Sequence, residues 1–416
     1  MKRKSIQENL GKTVEILYRK MSSRKAELGK FLRSIVAMPS ESRHEAAVVE
    51  RIGNEMNKAG FDDVFVDGMG NILGRMGSGK RIIAMDAHID TVGAGNLSLW
   101  KFNPHKGKIE NGCLYGRGAV DQKAGMASLI FAARLIKEYE LLADCTLYVV
   151  GSVQEEDCDG LCWQYIIKED GIRPECVVIT EPTNLKINIG HRGRMEIEVV
   201  TSGKAAHASA PERGLNAIYS MIRIIREIES LNDVLSGDSF LGKGTIAVTD
   251  IKCKTPSLCA VPDGCSIHLD RRLAVGDNRK SALKEVRDAV KRAGVKAEIR
   301  VPLYELPSYT DVVYPTECYF PTWLLPKKHP LLRAAQNTCK STFGKRVEIG
   351  KWIFSTNGVA TMGKHRIPSI GFGPGEEKYA HSAEERVPLL QVLNAAVWYA
   401  MFPLNYTLVM EGNNHA

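Results

Sequence analysis

The chain has 416 residues, 44% of them hydrophobic and 25% charged, with a formal net charge of +8. That length exceeds one ordinary core, so two domains are expected, and the composition is that of a soluble globular protein, not a disordered or fibrous one. The positive excess is thin and interspersed with acidic residues, which excludes a nucleic-acid footprint, and no run of about 18 apolar residues offers a membrane span.

The basic start Met1-Lys2-Arg3-Lys4 is not followed by a continuous apolar stretch, and the ten cysteines form no CxxC pair (Cys158 and Cys162 are four apart). Reduced thiols and a cytoplasmic location are the expectation. Ile6, Leu10, Val14, Leu17 and Met21, then Leu28, Phe31, Leu32 and Ile35, keep spacings of three and four and predict a helix over residues 5–36, stopped by Pro39. A second helix is predicted from Glu41 to Ala59, and short strands at Val64–Val66 and Asn71–Arg75. Gly74 to Lys80 fits GxxxxGK. Yet Arg81 stands where a phosphate loop needs Ser or Thr, and a strand follows where it needs a helix, so this segment reads as a hairpin turn.

The apolar run Ile82-Ile83-Ala84 leads into Met85-Asp86-Ala87-His88-Ile89-Asp90, a buried strand ending in His88 and Asp90. Residues two apart on a strand share a side, so one of these can bind a metal with the other close behind it. Gly116 to Gly125 is a glycine-rich loop opening a helix from Met126 to Tyr139, with Asp121 at its start, where a lone carboxylate reads as a helix cap. Thr146–Val153 is a strand closed by Gln154-Glu155-Glu156-Asp157, and Cys176–Thr180 is a strand closed by Glu181-Pro182. Three apolar strands thus end in metal-binding residue types, with Asp121 on a loop between them. Packed carboxylates repel unless cations sit among them. Histidine with carboxylates and no clustered cysteine suits zinc, with manganese or cobalt tolerated.

From Asn188 the pattern changes. Strands at Met195–Thr201, Gly244–Lys252, Gly264–Leu273 and Lys296–Val301, with helices at Gly214–Leu231 and Ser281–Ala293, give the order βαββαβ of a ferredoxin-like unit. The expected organisation is a first catalytic part over 1–187, an inserted domain over 188–302 and a second catalytic part over 303–416. The inserted segment carries His207-Ala208-Ser209-Ala210-Pro211 in a polar turn. Tyr304 to Pro326 reads as irregular, Pro330–Phe343 as a helix, Pro368–Phe372 as a strand leading through Gly373-Pro374-Gly375 to His381, and Leu389–Met401 as the closing helix.

In this order, His88-x-Asp90, Gly116-x-Gly118-x-x-Asp121, Glu155-Glu156, Glu181-Pro182, His207-x-Ser209-x-Pro211 and His381 resemble the two-zinc family of acetylornithine deacetylase, succinyl-diaminopimelate desuccinylase, aminoacylase and glutamate carboxypeptidase. The likeness covers residues 25–402, leaving the first 24 residues outside it. Val153 to Trp163, Gly190-His191-Arg192-Gly193-Arg194 and Tyr314 to Pro321 are similar to the YgeY-type, selenium-metabolism-linked hydrolases within it. The resemblance implies an α/β fold: a phosphorylase/hydrolase-like three-layer αβα catalytic domain with an inserted ferredoxin-like lid and dimerisation domain.

It further implies two divalent metal ions. His88 and Glu181 would hold one and Glu156 and His381 the other, with Asp121 bridging, Asp90 orienting His88 and Glu155 as general base. His207 would reach the oxyanion from the partner subunit of a homodimer, and Arg272 would grip a substrate carboxylate. Gly373 and Gly375 would add backbone donors. Asn357 stands where relatives often carry an acidic residue near the pocket, and so joins the substrate-binding candidates. The activity implied is hydrolysis of the amide bond of a small N-acyl or N-carbamoyl amino acid, without nucleic-acid or membrane partners. The alternatives are a dipeptidase or carboxypeptidase with the same site, a binding protein that keeps the fold, and a nucleotide hydrolase.

Overall fold

The computed structural model describes residues 10–413. Ile6 and the basic start lie outside the described residues. The predicted first helix is two, Leu10–Ser23 and Lys25–Val36, meeting at Arg24. The second helix begins at Ala46, not Glu41, because Glu45 turns inward and its Oε1 accepts the Gln154 N–H at 3.1 Å.

An eight-stranded sheet forms the first layer system, in the order Asp63–Val66, Ile72–Met76, Cys145–Ser152, Arg81–His88, Cys176–Ile179, Ser369–Gly371, Ile187–Asn188, Ile349–Gly350. The strands from Cys145–Ser152 to Ser369–Gly371 run parallel. Parallel strands are buried on both faces, and this explains their continuous apolar runs. Period two sorts them: Ile83, Met85, Leu147, Val149 and Val178 meet one core, and Ala84, Val150, Val177 and Ile179 the other. Helices Ala46–Ala59, Ala124–Tyr139 and Leu389–Asn413 cover the first face, and Leu161–Lys168 covers the second. The segment Gly74–Lys80 is not the predicted hairpin turn: Ile72–Met76 and Arg81–His88 flank the Cys145–Ser152 strand and do not pair with each other, and no helix follows the segment, unlike a phosphate loop.

The closing helix runs past Met401, through Pro403, to Asn413. Proline inside a helix costs about 3 kcal/mol. Phe402, Leu404 and Tyr406 are all buried, and each such side chain contributes about 1.5–3 kcal/mol, so burial wins.

A second sheet has its own core. Its order is Thr245–Lys254, Gly264–Leu273, Gly193–Ser202, Glu298–Arg300, with helices Ala217–Val234 and Arg279–Arg292 packed on one face. This is the ferredoxin-like arrangement, inserted between two stretches of the first layer system. Tyr319–Phe320, predicted as irregular, pairs with the Gly193–Ser202 strand, and Trp323–Leu324 pairs with Gly190–His191, tying the returning chain to both parts. No helix among the described residues is long and apolar enough to cross a membrane.

Candidate active site

The four parallel strands end on the same edge of the sheet, and their carboxyl ends are where ligands bind in open α/β sheets. His88 closes one strand, Glu155 and Glu156 follow Ser152, Glu181 follows Ile179, and the chain after Gly371 returns to this edge through His381. Asp121 is delivered differently. It is not a helix cap: its backbone is extended (φ −119°, ψ 91°), and the helix starts at Ala124. Gly125 lets that helix approach, since a Cβ there would lie 2.1 Å from Thr180 Oγ1, one residue before Glu181.

Asp121 sits between two histidines. Its Oδ1 is 2.9 Å from His88 Nε2 and its Oδ2 is 3.2 Å from His381 Nε2. His88 Nε2 is also 3.5 Å from Glu181 Oε1 and 4.0 Å from Glu155 Oε2, and His381 Nε2 is 2.9 Å from Glu156 Oε2. Two groups of side chains could each hold a metal ion, His88 with Asp121 and Glu156 and His88 with Glu155 and Glu181, and the half-exposed His381 meets Asp121 and Glu156 nearer solvent. His88 donates from Nδ1 to the Asp90 carbonyl at 3.1 Å, which turns Nε2 toward Asp121 and the cleft. The Asp90 carboxylate lies 3.4 Å from the same Nδ1 and is held by Ser42 Oγ at 2.7 Å and the Glu156 N–H at 3.0 Å.

Electrostatics supports a cation site. Burial first, then the charges of Asp159, Glu181 and Glu156, pushes the Glu155 carboxyl well above its usual range. Burial and Asp121 do the same to Glu181. Burial pulls His88 down, but Glu181, Asp121 and Asp90 outweigh it, and hydrogen bonds to Asp121 and Glu156 raise His381 to about 10. Glu155 Oε1 and Glu181 Oε2 are buried without a hydrogen-bond partner. Buried carboxylate oxygens are rarely left so, and the other oxygen of each carboxylate lies near His88 Nε2, in a hard-donor set suited to divalent cations.

Asp121, Glu155, Glu156, Glu181 and His381 line a cleft of about 300 Å3, together with Asp159, Arg194, Arg272, Phe354 and Glu377. Arg272 reaches it, although its Nε and Nη2 already pair with Asp270 at 2.8 and 3.1 Å. Sequence reasoning missed Arg194, which stacks over Phe320 at 4.5 Å and meets Asp159 at 3.1 Å. The signal was present: Arg194, Glu196 and Glu198 alternate with apolar residues and so share one face of a strand. It also missed Glu385, a buried carboxylate beside Arg117 whose Oε1 accepts the N–H groups of Val120 and Asp121 and so positions the Asp121 loop.

Two expectations are corrected. Asn357 is outside the cleft: its amide is consumed by Asp86, Ser152 and the Gly160 N–H, at 2.9–3.0 Å. Gly373 and Gly375 do not offer free donors, because their N–H groups already bond Thr183 Oγ1 and Gln391 Oε1. Gly373 is required for another reason, since a Cβ there would lie 2.3 Å from the Glu181 carbonyl oxygen. His207, expected to act from a second subunit, is exposed in this chain and outside the lining of its own cleft, its Nδ1 2.7 Å from Ser209 Oγ.

The chain matches Peptidase family M20/M25/M40 over residues 84–405. It is 49% identical over 394 residues to "Uncharacterized protein YgeY" of Escherichia coli K12, covering 94% of this chain and 97% of that one. It is 24% identical to a "Probable succinyl-diaminopimelate desuccinylase" of Staphylococcus epidermidis, covering 86% and 92%. Among solved structures, the YXEP protein of Bacillus subtilis, titled a dinuclear metal binding peptidase of the M20 family, superposes with a TM-score of 0.68 at 14% identity, covering 94% and 99%; at that identity the likeness is one of fold. The chain belongs to the peptidase M20 family and is a metallo-hydrolase of amide or peptide bonds.

Proposed function

We propose that this hydrolase cleaves the amide bond of a small N-acyl or N-carbamoyl amino acid, using a pair of divalent metal ions and Glu155 as general base. The observation that carries the reading is the Asp121 carboxylate, placed between His88 and His381 with one oxygen toward each. His88 and Glu181 would hold one ion, His381 and Glu156 the other, and Asp121 both. Zinc suits this donor set best, with cobalt and manganese acceptable. Bound there, such a pair acidifies water and polarises a carbonyl.

The chain's own residues divide the remaining work. Glu155 meets His88 only at 4.0 Å, which leaves its carboxylate available to take a proton from the attacking water and return it to the leaving nitrogen. Asp90 fixes the His88 ring and, through the Glu156 N–H, the backbone beside the base. Arg272 would hold the substrate carboxylate with the guanidinium edge that Asp270 leaves open, and Arg194 stands beside it. His207 is proposed to act from a second subunit, which its exposure in a single chain permits.

The test is metal content per chain on protein purified without added metal, with turnover of N-acetyl and N-carbamoyl amino acids before and after chelation. Two metals, with activity lost to the chelator and restored by zinc, manganese or cobalt, is the expected result. One metal or none, with no activity recovered on adding metals, would overturn the reading.

A further inference from the structure

Glu155 Oε1 is buried without a hydrogen-bond partner and its Oε2 meets His88 only at 4.0 Å, so the backbone that carries Glu155 sets the place of its carboxyl. That backbone turns just after the Cys145–Ser152 strand, at Gln154, whose left-handed conformation (φ 55°) is uncommon for a residue other than glycine. Three groups of the fully buried Gln154 are held. Its N–H donates to Glu45 Oε1 at 3.1 Å, its carbonyl accepts the Cys158 N–H at 3.1 Å, and its Nε2 donates to the Tyr304 hydroxyl at 2.8 Å. The Tyr304 hydroxyl in turn donates to Asp157 Oδ2 at 3.0 Å. One phenol therefore joins the residue before the Glu155-Glu156 pair to the residue after it.

Tyr304 comes from far along the chain. It lies just past Glu298–Arg300, the last strand of the inserted sheet, and pairs with Thr316. Tyr309 in the same segment makes a useful contrast: its hydroxyl donates to the Gly70 carbonyl at 2.9 Å and fastens the returning chain away from the base. We propose that Tyr304 is a positioning residue for the reaction, bridging Gln154 and Asp157 so that the turn between them holds the Glu155 carboxylate where it takes the proton of the attacking water. The assignment rests on Glu155 as the general base, as proposed above. Tyr304 does not line the cleft and acts through Glu155 alone.

Tyr304→Phe removes the hydroxyl and keeps the ring. With the metal-loaded full chain and N-acetylalanine, kcat is expected to fall by about 10- to 100-fold with KM and metal content unchanged, because a displaced reacting group costs rate and not binding. Tyr309→Phe should keep the wild-type kcat, whatever it does to the melting temperature. Asp157→Ala opens the bridge at its exposed end and should lower kcat in the same direction, though less far. In a Glu155→Ala background, Tyr304→Phe should cost no more than about 2-fold, since both act on one step. Hydrogen exchange gives a readout that needs no substrate: amides over 153–159 should exchange faster in Tyr304→Phe and at the wild-type rate in Tyr309→Phe. A wild-type kcat in Tyr304→Phe, an equal loss in Tyr309→Phe, or a full further loss on top of Glu155→Ala would overturn the proposal. Full activity in Glu155→Ala would instead overturn the parent reading. Should the wild type cleave neither N-acetylalanine nor N-carbamoylalanine, the parent reading fails on small amides and exchange decides the bridge by itself: faster exchange confined to 153–159 upholds it, and unchanged exchange sinks it.

Discussion

Arg194 and Arg272 face each other directly across adjacent antiparallel strands, and both line the cleft that contains Asp121, Glu155 and Glu181. Like charges in opposed positions destabilise a sheet. Asp159, Glu196 and Asp270 offset the repulsion, yet Arg194 Nε stays buried and unpaired. Such a pair suits an anionic substrate group. Arg194→Met is expected to raise KM for N-acetylalanine by about 10- to 100-fold with kcat little changed, and to leave N-acetylalaninamide unaffected. Equal losses on both compounds would mean that Arg194 only supports the strand.

Glu155 is buried beside His88 and Glu181 but stands farther from His88 than Asp121 or Glu181 does, and is proposed as the base and not a ligand. A base separate from the ligands can be removed without losing metal. Glu155→Ala should retain the wild-type metal content and lower kcat by about 10²- to 10⁴-fold. Metal analysis alongside steady-state kinetics checks both halves; full activity in this variant would remove Glu155 from the mechanism.

Asp121 touches both histidines, whereas Glu156 meets His381 and Glu181 meets His88. Asp121→Asn is therefore expected to weaken both ions together, and Glu156→Ala mainly the one nearer solvent. Stepwise titration of metal into the apo variants, followed by calorimetry, distinguishes these outcomes. Two ions bound with wild-type affinity in Asp121→Asn would show that the carboxylate is not shared.

His191 sets a stability limit at acid pH. It is fully buried, donates from Nδ1 to the Arg192 carbonyl, and accepts at Nε2 from Trp323 Nε1 at 2.7 Å and the Thr356 N–H at 3.1 Å. Burial lowers its pKa from 6.5 to about 4. The unfolded chain thus binds more protons than the folded one between those values. The stabilisation is complete above pH 6.5 and is lost as the pH falls toward 4, by about 3 kcal/mol in all. Thermal melts from pH 4 to 7 should show His191→Gln with a flatter acid dependence than wild type, although it is less stable at pH 7. Parallel pH profiles for the two proteins would contradict this assignment.

The strand ends were legible in the residues because two local signals coincide there. Apolar runs such as Ile82-Ile83-Ala84 and Cys176-Val177-Val178-Ile179 mark strands buried on both faces, and the first polar residues after them mark the ligand edge. The βαββαβ order was legible for a similar reason, since the helices Ala217–Val234 and Arg279–Arg292 keep one apolar face. Helix ends were less legible. Pro39 and Gly60 are local punctuation, but the extent of the closing helix beyond Pro403 depends on what buries Phe402 and Tyr406.

By itself, the amino-acid sequence determined the order of the elements and the residue types waiting at the strand ends, because period-two and helical spacing are properties of a short stretch of chain. Only the tertiary structure decided which of those residues meet. Asp121 lies between His88 and His381 because a loop held by Glu385 brings it there, across 264 positions of sequence. Asn357 turns to Asp86 instead of the cleft, Gly373 serves the approach of one strand end to another, and Arg194 finds Arg272 through strand register. Each of these depends on distances between segments far apart in the chain, and local propensity carries no information about such distances.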